Sequence, residues 1–194
     1  ATTTLRGPPA SVYGASSSGG IVDVVSKRPT EERLREVELQ YGTYGRVQGA
    51  FDFSGPLDTD NTLLYRLTGV VRDARKEIDA VKDDRVFIAP ALTWQPDDDT
   101  RLTILGEYMD STTGGTWGYV NKYGPDGTSI GATPVYGGDA RFNDFTQKQW
   151  RIGYELEQSL TDSVTLHHKL RYSDLSMRQE WVFENFPGIG YEDN

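Results

Sequence analysis

Residues 6–30, "RGPPASVYGASSSGGIVDVVSKRPT", join two unlike pieces. Glycine, serine and proline crowd 7–20, a composition that starves a helix or strand of regular backbone and favours turns. "IVDVV" at 21–25 then reads as a short apolar strand, closed by the basic pair Lys27 and Arg28 ahead of Pro29. From Glu31 onward the chain changes character and reads as strands and turns alone.

The period there is two. In "REVELQY" (35–41), Val37, Leu39 and Tyr41 alternate with Glu36, Glu38 and Gln40; in "RVQGAFDF" (46–53), Val47, Gly49, Phe51 and Phe53 alternate with Gln48, Ala50 and Asp52. The same alternation runs through "LLYRLTGVVR" (63–72), "RVFIAPALTW" (85–94), "RLTILGEYM" (101–109), "QWRIGYELE" (149–157) and "VTLHHKLRY" (164–172). These seven runs predict seven strands with one wet face each, and no helical pattern of useful length occurs.

Connections alternate in length. "SGPLDTDN" (54–61), "QPDDDT" (95–100) and "QSLTDS" (158–163) are short and acidic, whereas "ARKEIDAVKDD" (74–84) and the thirty or so residues between Ser111 and Phe145 are long, "GTYGR" (42–46) being the exception. The two ends of the sheet therefore face different environments. Strands of about ten residues, aromatics near their ends, and short turns opposite long loops suit an outer-membrane barrel, whose backbone must pair completely because lipid offers no hydrogen bonds. A soluble sandwich or propeller produces the same period with its apolar face turned inward, so period alone leaves both open. The polar side carries Arg66, Arg72, Glu107, Arg151, Glu155, Lys169 and Arg171 on neighbouring runs, as a wet lumen with cross-strand pairs would.

Composition narrows the function classes. The chain has 194 residues, 36% hydrophobic and 11% aromatic, which supports a folded protein, while mean hydropathy is −0.57 with 21 glycines and 11 tyrosines, which fits strands with one polar face. A formal charge of −9 and a pI near 4.7 argue against nucleic acid as a partner. The absence of cysteine removes disulfides, thiol catalysis and most zinc sites. The start at Ala1 is expected of a processed chain or a piece of a longer one.

The opening stretch resembles the end of the plug domain of TonB-dependent siderophore receptors: "RGP" at 6–8, "YG" at 13–14, "GG" at 19–20 and "VVSKRPT" at 24–30 fall in register with it. "FDFSGPLD", "YRLTGVVR", "IAPALTWQPDDDT" and "GYVNKYGPDGT" resemble the first barrel strands and third outer loop of the ferrichrome and hydroxamate branch. "PPASV" at 8–12 and "ATTT" at 1–4 depart from the family pattern.

The resemblance implies an all-β fold: the N-terminal part of a transmembrane antiparallel barrel of about twenty-two strands when complete, preceded by the C-terminal end of a plug. Residues 1–30 would be plug and 31–194 the first strands, too few to close or to transport alone. It implies TonB-coupled import of a ferric siderophore of hydroxamate type, in the lipid of a Gram-negative outer membrane, with the TonB complex as partner and no catalysis. Trp117, Tyr119 and Tyr123 would be the loop aromatics that meet the ligand, and Arg6 would pair with carboxylates on the wall. An aromatic with a polar tip suits a hydroxamate's apolar shell and hydrogen-bonding rim, but the same residues also suit an interface girdle. Lys27 and Arg28 read as a solvated linker, and Pro29 and Thr30 lie near a hinge.

No cofactor or protein-bound metal is expected, the siderophore filling the iron's coordination sphere. His167 and His168, adjacent on a strand, point to opposite faces and cannot share one ion. "PDDDT" and "DTDN" lack the full calcium-loop pattern and read as turns. Two other functions stay open: a soluble carbohydrate-binding module stacking on Trp117 and Tyr119, and a hydrolase using Glu107 and Asp110, which three residues apart would face opposite ways. The negative charge favours a neutral or cationic ligand.

Overall fold

The computed structural model describes residues 2–5, 21–24, 26–76, 81–114, 119–136, 140–180, 182–184 and 191–193. Seven long strands form one sheet: β3 (Leu34–Tyr41), β4 (Val47–Pro56), β5 (Leu63–Asp73), β6 (Asp83–Asp97), β7 (Thr100–Thr113), β10 (Asp144–Thr161) and β11 (Val164–Glu180). Their order, β11-β10-β7-β6-β5-β4-β3, is the order of the chain, and every neighbour is antiparallel. Each of the seven alternating runs thus became one strand of an up-and-down meander.

Three further two-stranded pairs complete the described elements. β1 (Thr2–Leu5) pairs with β2 (Ile21–Val24), β8 (Tyr119–Tyr123) with β9 (Ser129–Tyr136), and β12 (Val182–Glu184) with β13 (Tyr191–Asp193). The long connection after β7 is therefore not bare loop, because it carries the β8–β9 hairpin and a short 3-10 turn at Ala140–Phe142.

Register fixes the faces. Leu39, Gly49, Val71 and Val86 stand opposite one another across β3 to β6, and Tyr108, Trp150 and Ile88 line up across β6, β7 and β10, all on one face. That face is open: Leu39 is 84% exposed, Val71 57%, Ile152 53% and Leu170 58%, while the buried apolar side chains among the described residues are only Leu64, Ala74, Val81 and Ala91. A sandwich would bury this face and leave the polar one wet; here the hydrophobic residues look outward.

The outward face is banded. Tyr108, Trp150 and Tyr172 form a row near the long-loop end, with the Trp150 and Tyr172 rings 5.1 Å apart, and Tyr65 and Trp94 stand near the short-turn end. Beyond the upper row charge returns, with Lys148 against Asp110 at 3.4 Å and Lys82 against Asp144 at 3.5 Å. Thr100 to Asp110 on β7 spans ten residues at about 3.4 Å each along a strand tilted by about 40°, which gives a band about 25 Å tall. That height matches the apolar belt of an outer-membrane barrel.

The short acidic turns all lie at one end. Asp58 accepts from the Thr62 amide at 3.0 Å and from the Thr62 hydroxyl, and Asp97 accepts from the Asp99 amide at 3.1 Å, so both carboxylates are engaged within their own turns. The Thr62 hydroxyl, followed by the Leu63 and Thr62 amides, holds the Asp58 carboxyl below the ordinary carboxylate range. At the other end "GTYGR" makes a two-residue hairpin turn with Tyr44 at φ 59° and Gly45 at φ 69°, closed by Arg46 N–H on the Thr43 carbonyl at 3.3 Å. Two positive φ angles match the right-handed twist of the strands, which is why this connection is short at the long-loop end.

Candidate functional site

The face opposite the apolar band is built from the alternate residues, and charge on it is paired across strands. Arg151 Nε on β10 lies 3.3 Å from Glu107 Oε1 on β7, Lys169 on β11 lies 3.7 Å from Glu155 on β10, and Arg72 on β5 bonds Asp83 on β6 at 2.7 Å. These are the cross-strand pairs expected of a wet interior wall. Thr93 and Thr103, both buried, share a hydroxyl hydrogen bond of 2.9 Å lower on the same face.

A segment of the chain is strapped to this wall. Lys27 Nζ meets Asp52 Oδ2 at 2.6 Å, and Arg28 grips Glu155 with two bonds, Nε to Oε2 at 3.0 Å and Nη2 to Oε1 at 2.7 Å. Arg66 Nη1 donates to the Arg28 carbonyl at 2.9 Å, and the Thr30 amide donates to Ser54 Oγ at 3.0 Å. Arg28 therefore links β5 to β10, strands separated by β6 and β7, which a fork-shaped guanidinium at full reach can do. Lys27 and Arg28, expected as a solvated linker, are instead the clamp, and Pro29 beside them is buried. The reason is chemical: Asp52 has a side chain only 8% exposed, and a carboxylate so far from water requires cations. It receives Arg66 through Nε at 2.9 Å and Nη2 at 2.7 Å as well as Lys27.

Above the strap, toward the long loops, the concave wall holds a cavity of about 470 Å³. Its floor is apolar, with Ala50, Val70, Phe87 and Leu105, and its charged lining sets Lys27 and Arg151 among the carboxylates of Glu36, Glu38, Asp52 and Glu107.

The sequence-derived site residues fare unevenly. Arg6 and Trp117 lie outside the described residues; the contacts to the wall seen among the described residues are those of Lys27 and Arg28. Tyr119 lies in β8 with its backbone opposite Tyr136, and its side chain is outside the description; Tyr123, opposite Ser129, is 63% exposed at the end of the hairpin strand. His167 and His168 do part company: His167 faces Glu157 at 3.5 Å on the polar side, while His168 stacks on Tyr154 with centroids 5.5 Å apart on the apolar side. Glu107 and Asp110 fall on opposite faces, each beside its own cation, Arg151 and Lys148. Glu155 was placed on the polar face by its alternation but not paired with Arg28, and the role of Asp52 escaped sequence reasoning; the one available signal was an acid at an inward position of a run, as in "FDF".

No protein-family profile matches the chain. Over 184 residues it is 35% identical to the ferrichrome outer membrane transporter and phage receptor of Escherichia coli K12, covering 92% of this chain and 24% of that protein. The chain belongs to the TonB-dependent siderophore receptors. The ferrioxamine B receptor of Salmonella typhimurium is a further relative of this receptor segment, 31% identical over 172 residues. The segment spans about a quarter of the length of the curated relatives it matches. Among solved structures, the pyoverdine outer membrane receptor FpvA of Pseudomonas aeruginosa PAO1 superposes with a TM-score of 0.82 at 20% identity, over 96% of this chain and 28% of that one. The siderophore receptor PiuA of Acinetobacter baumannii gives 0.77 at 21% identity, over 93% and 26%. At such identity these two establish the fold alone: the first part of an outer-membrane β-barrel preceded by the end of a plug. The relatives are receptors and transporters, and neither they nor the outward-facing apolar band support a soluble carbohydrate-binding module.

Proposed function

We propose that the intact protein binds a ferric siderophore of hydroxamate type at the outer face and imports it by TonB-coupled transport. Residues 1–30 form the end of its plug and 31–194 the first strands of its wall. The observation that carries this reading is the strap: residues 26–30 are clamped by Asp52, Glu155 and Ser54 to the polar face of a sheet whose other face is apolar and open. A soluble sheet has no use for that inversion, whereas a plug seated in a lipid-embedded wall requires both halves of it.

The resemblance to receptors named for ferrichrome and ferrioxamine supports a hydroxamate ligand. Trp117, Tyr119 and Tyr123 are the loop residues assigned to it, each offering an aromatic face and a hydrogen-bonding tip. The test uses the full-length receptor and ferric ferrioxamine B with its terminal amine acetylated, a neutral hydroxamate chelate. Trp117→Ala or Tyr119→Ala should weaken binding about tenfold or more, the scale of a lost aromatic anchor, and unchanged affinity removes the hairpin loop from the site. Uptake should also stop when the inner-membrane proton gradient is collapsed; uptake that persists refutes energy-coupled import.

A further inference from the structure

Two arginines stand directly opposite each other on the polar face, Arg72 on β5 and Arg85 on β6. Like charges in that relation repel. Arg72 is satisfied, its Nη2 bonding Asp83 Oδ1 at 2.7 Å and its Nε donating to the Asp83 carbonyl at 3.1 Å. Arg46 approaches the same carboxylate at 3.8 Å and bonds Gln48 Oε1 at 2.9 Å. Arg85 has nothing: its Nε is buried without an acceptor among the described residues. The neighbouring Asp84 cannot help, because alternation turns it to the other face, where it accepts from the Ala74 amide at 3.2 Å. Two guanidinium groups, Arg46 and Arg72, thus share a single carboxylate, and a third, Arg85, stands beside them unpaired among the described residues, in a chain whose formal charge is −9.

The place of this cluster matters. Arg72 lies six residues along β5 from Arg66, about 20 Å at the rise of a strand, so the cluster sits well above the strap, toward the long loops. Arg85 stands opposite Ser111, two residues before β7 ends at Thr113 and the connection bearing the β8–β9 hairpin begins. It therefore lies on the inner wall beneath the root of the loop assigned to the ligand.

The geometry points to Arg85, assisted by Arg46 and Arg72, as a receiving site for a carboxylate on the ferric chelate. The ligand would be an anionic chelate, or one with a pendant acid, in place of the neutral or cationic ligand that net charge alone favours. The inference rests on the receptor reading above and refines its ligand class. A guanidinium that is half-buried and unpaired among the described residues is a good host for a two-oxygen anion, because its N–H groups match carboxylate spacing and retain their charge at any working pH. A neutral carbonyl could accept one bond but would leave the excess charge of the cluster uncompensated, and an ammonium-bearing ligand would be repelled.

The experiment uses full-length receptor and two ferric chelates that differ in one group: ferrioxamine B with its terminal amine succinylated, which adds a carboxylate, and the same chelate acetylated, which is neutral. Wild type should bind the succinylated chelate about tenfold more tightly, the scale of one charge-assisted contact. Arg85→Gln should bring the ratio of the two affinities to about one, and Arg85→Lys should restore part of it. A wild-type ratio near one overturns the anion site while leaving the receptor reading in place; binding of neither chelate overturns both. If Arg85→Gln alters amide exchange in the plug but not the ratio, the guanidinium serves an internal acid and the inference fails. Arg85→Lys also guards against misfolding, since it keeps the charge and most of the volume.

Discussion

Neutralising Glu155 should loosen the strap without unfolding the wall. Glu155 receives two charge-assisted bonds from Arg28, and each such bond contributes about 1.5–3 kcal/mol when isolated from water. The pair is less isolated than that, with 29% and 23% of the two side chains exposed, and Lys169 at 3.7 Å remains beside Glu155 when Arg28 is gone. The coupling should therefore lie near the low end, at about 2 kcal/mol. It is best read from a double-mutant cycle of Arg28→Gln, Glu155→Gln and the pair, in the full-length receptor in lipid. The Thr30 amide is the reporter, since it donates to Ser54 Oγ, a group 1% exposed, and exchanges with solvent only when the segment lifts off. A coupling of about 2 kcal/mol corresponds to about a thirtyfold change in the opening equilibrium, and so in protection. A coupling below about 0.5 kcal/mol, typical of an exposed ion pair, would show that the clamp is held by something other than this contact.

Three further outcomes follow from the geometry. Ile104→Arg, on the open face near mid-band, should destabilise the barrel by about 2–4 kcal/mol in lipid, measured by reversible unfolding from vesicles, whereas a soluble sheet would gain from the exposed charge. Gly69→Val should destabilise by about 1–3 kcal/mol in the same assay, because the Phe51 ring occupies the place its Cβ would take; an unchanged midpoint would mean that the ring moves aside freely. The Asp58 turn should depend on pH in one direction. Its carboxyl titrates below the ordinary value, so its contribution is complete above about pH 4 and fades as pH falls through the lowered value. Protection of the Thr62 amide, taken relative to its intrinsic exchange rate at each pH, should fall on that descent, and Asp58→Asn should flatten the profile.

What could be read from residues alone tracks what lipid imposes. The seven strands were legible because an apolar belt forces strict alternation on 35–41, 85–94 or 149–157, and the strand order follows once every connection is a hairpin. Beyond the belt the constraint lapses, so β10 and β11 run to 18 and 17 residues, well past the alternating stretch visible in each. The β8–β9 hairpin was hidden for the same reason. The strap left no local trace, since Lys27 and Arg28 resemble any basic linker and their partners lie 25 and 127 positions away. Arg85 was hidden differently: in "DDRVF" it follows two acids and reads as neutralised, yet Asp83 is shared with Arg46 and Arg72 and Asp84 faces away.

The central claim, an outward apolar face and an inward strapped one, is open to a direct measurement. Spin labels placed one at a time at 102–108 of β7, in the full-length receptor in lipid vesicles, report collision with oxygen, which concentrates in the bilayer, and with a water-soluble relaxant. Oxygen collision should peak at 102, 104, 106 and 108 and fall at 103, 105 and 107, a period of two locked to Leu102, Ile104 and Tyr108. The opposite phase, or a flat profile with high access to the aqueous reagent throughout, would contradict it.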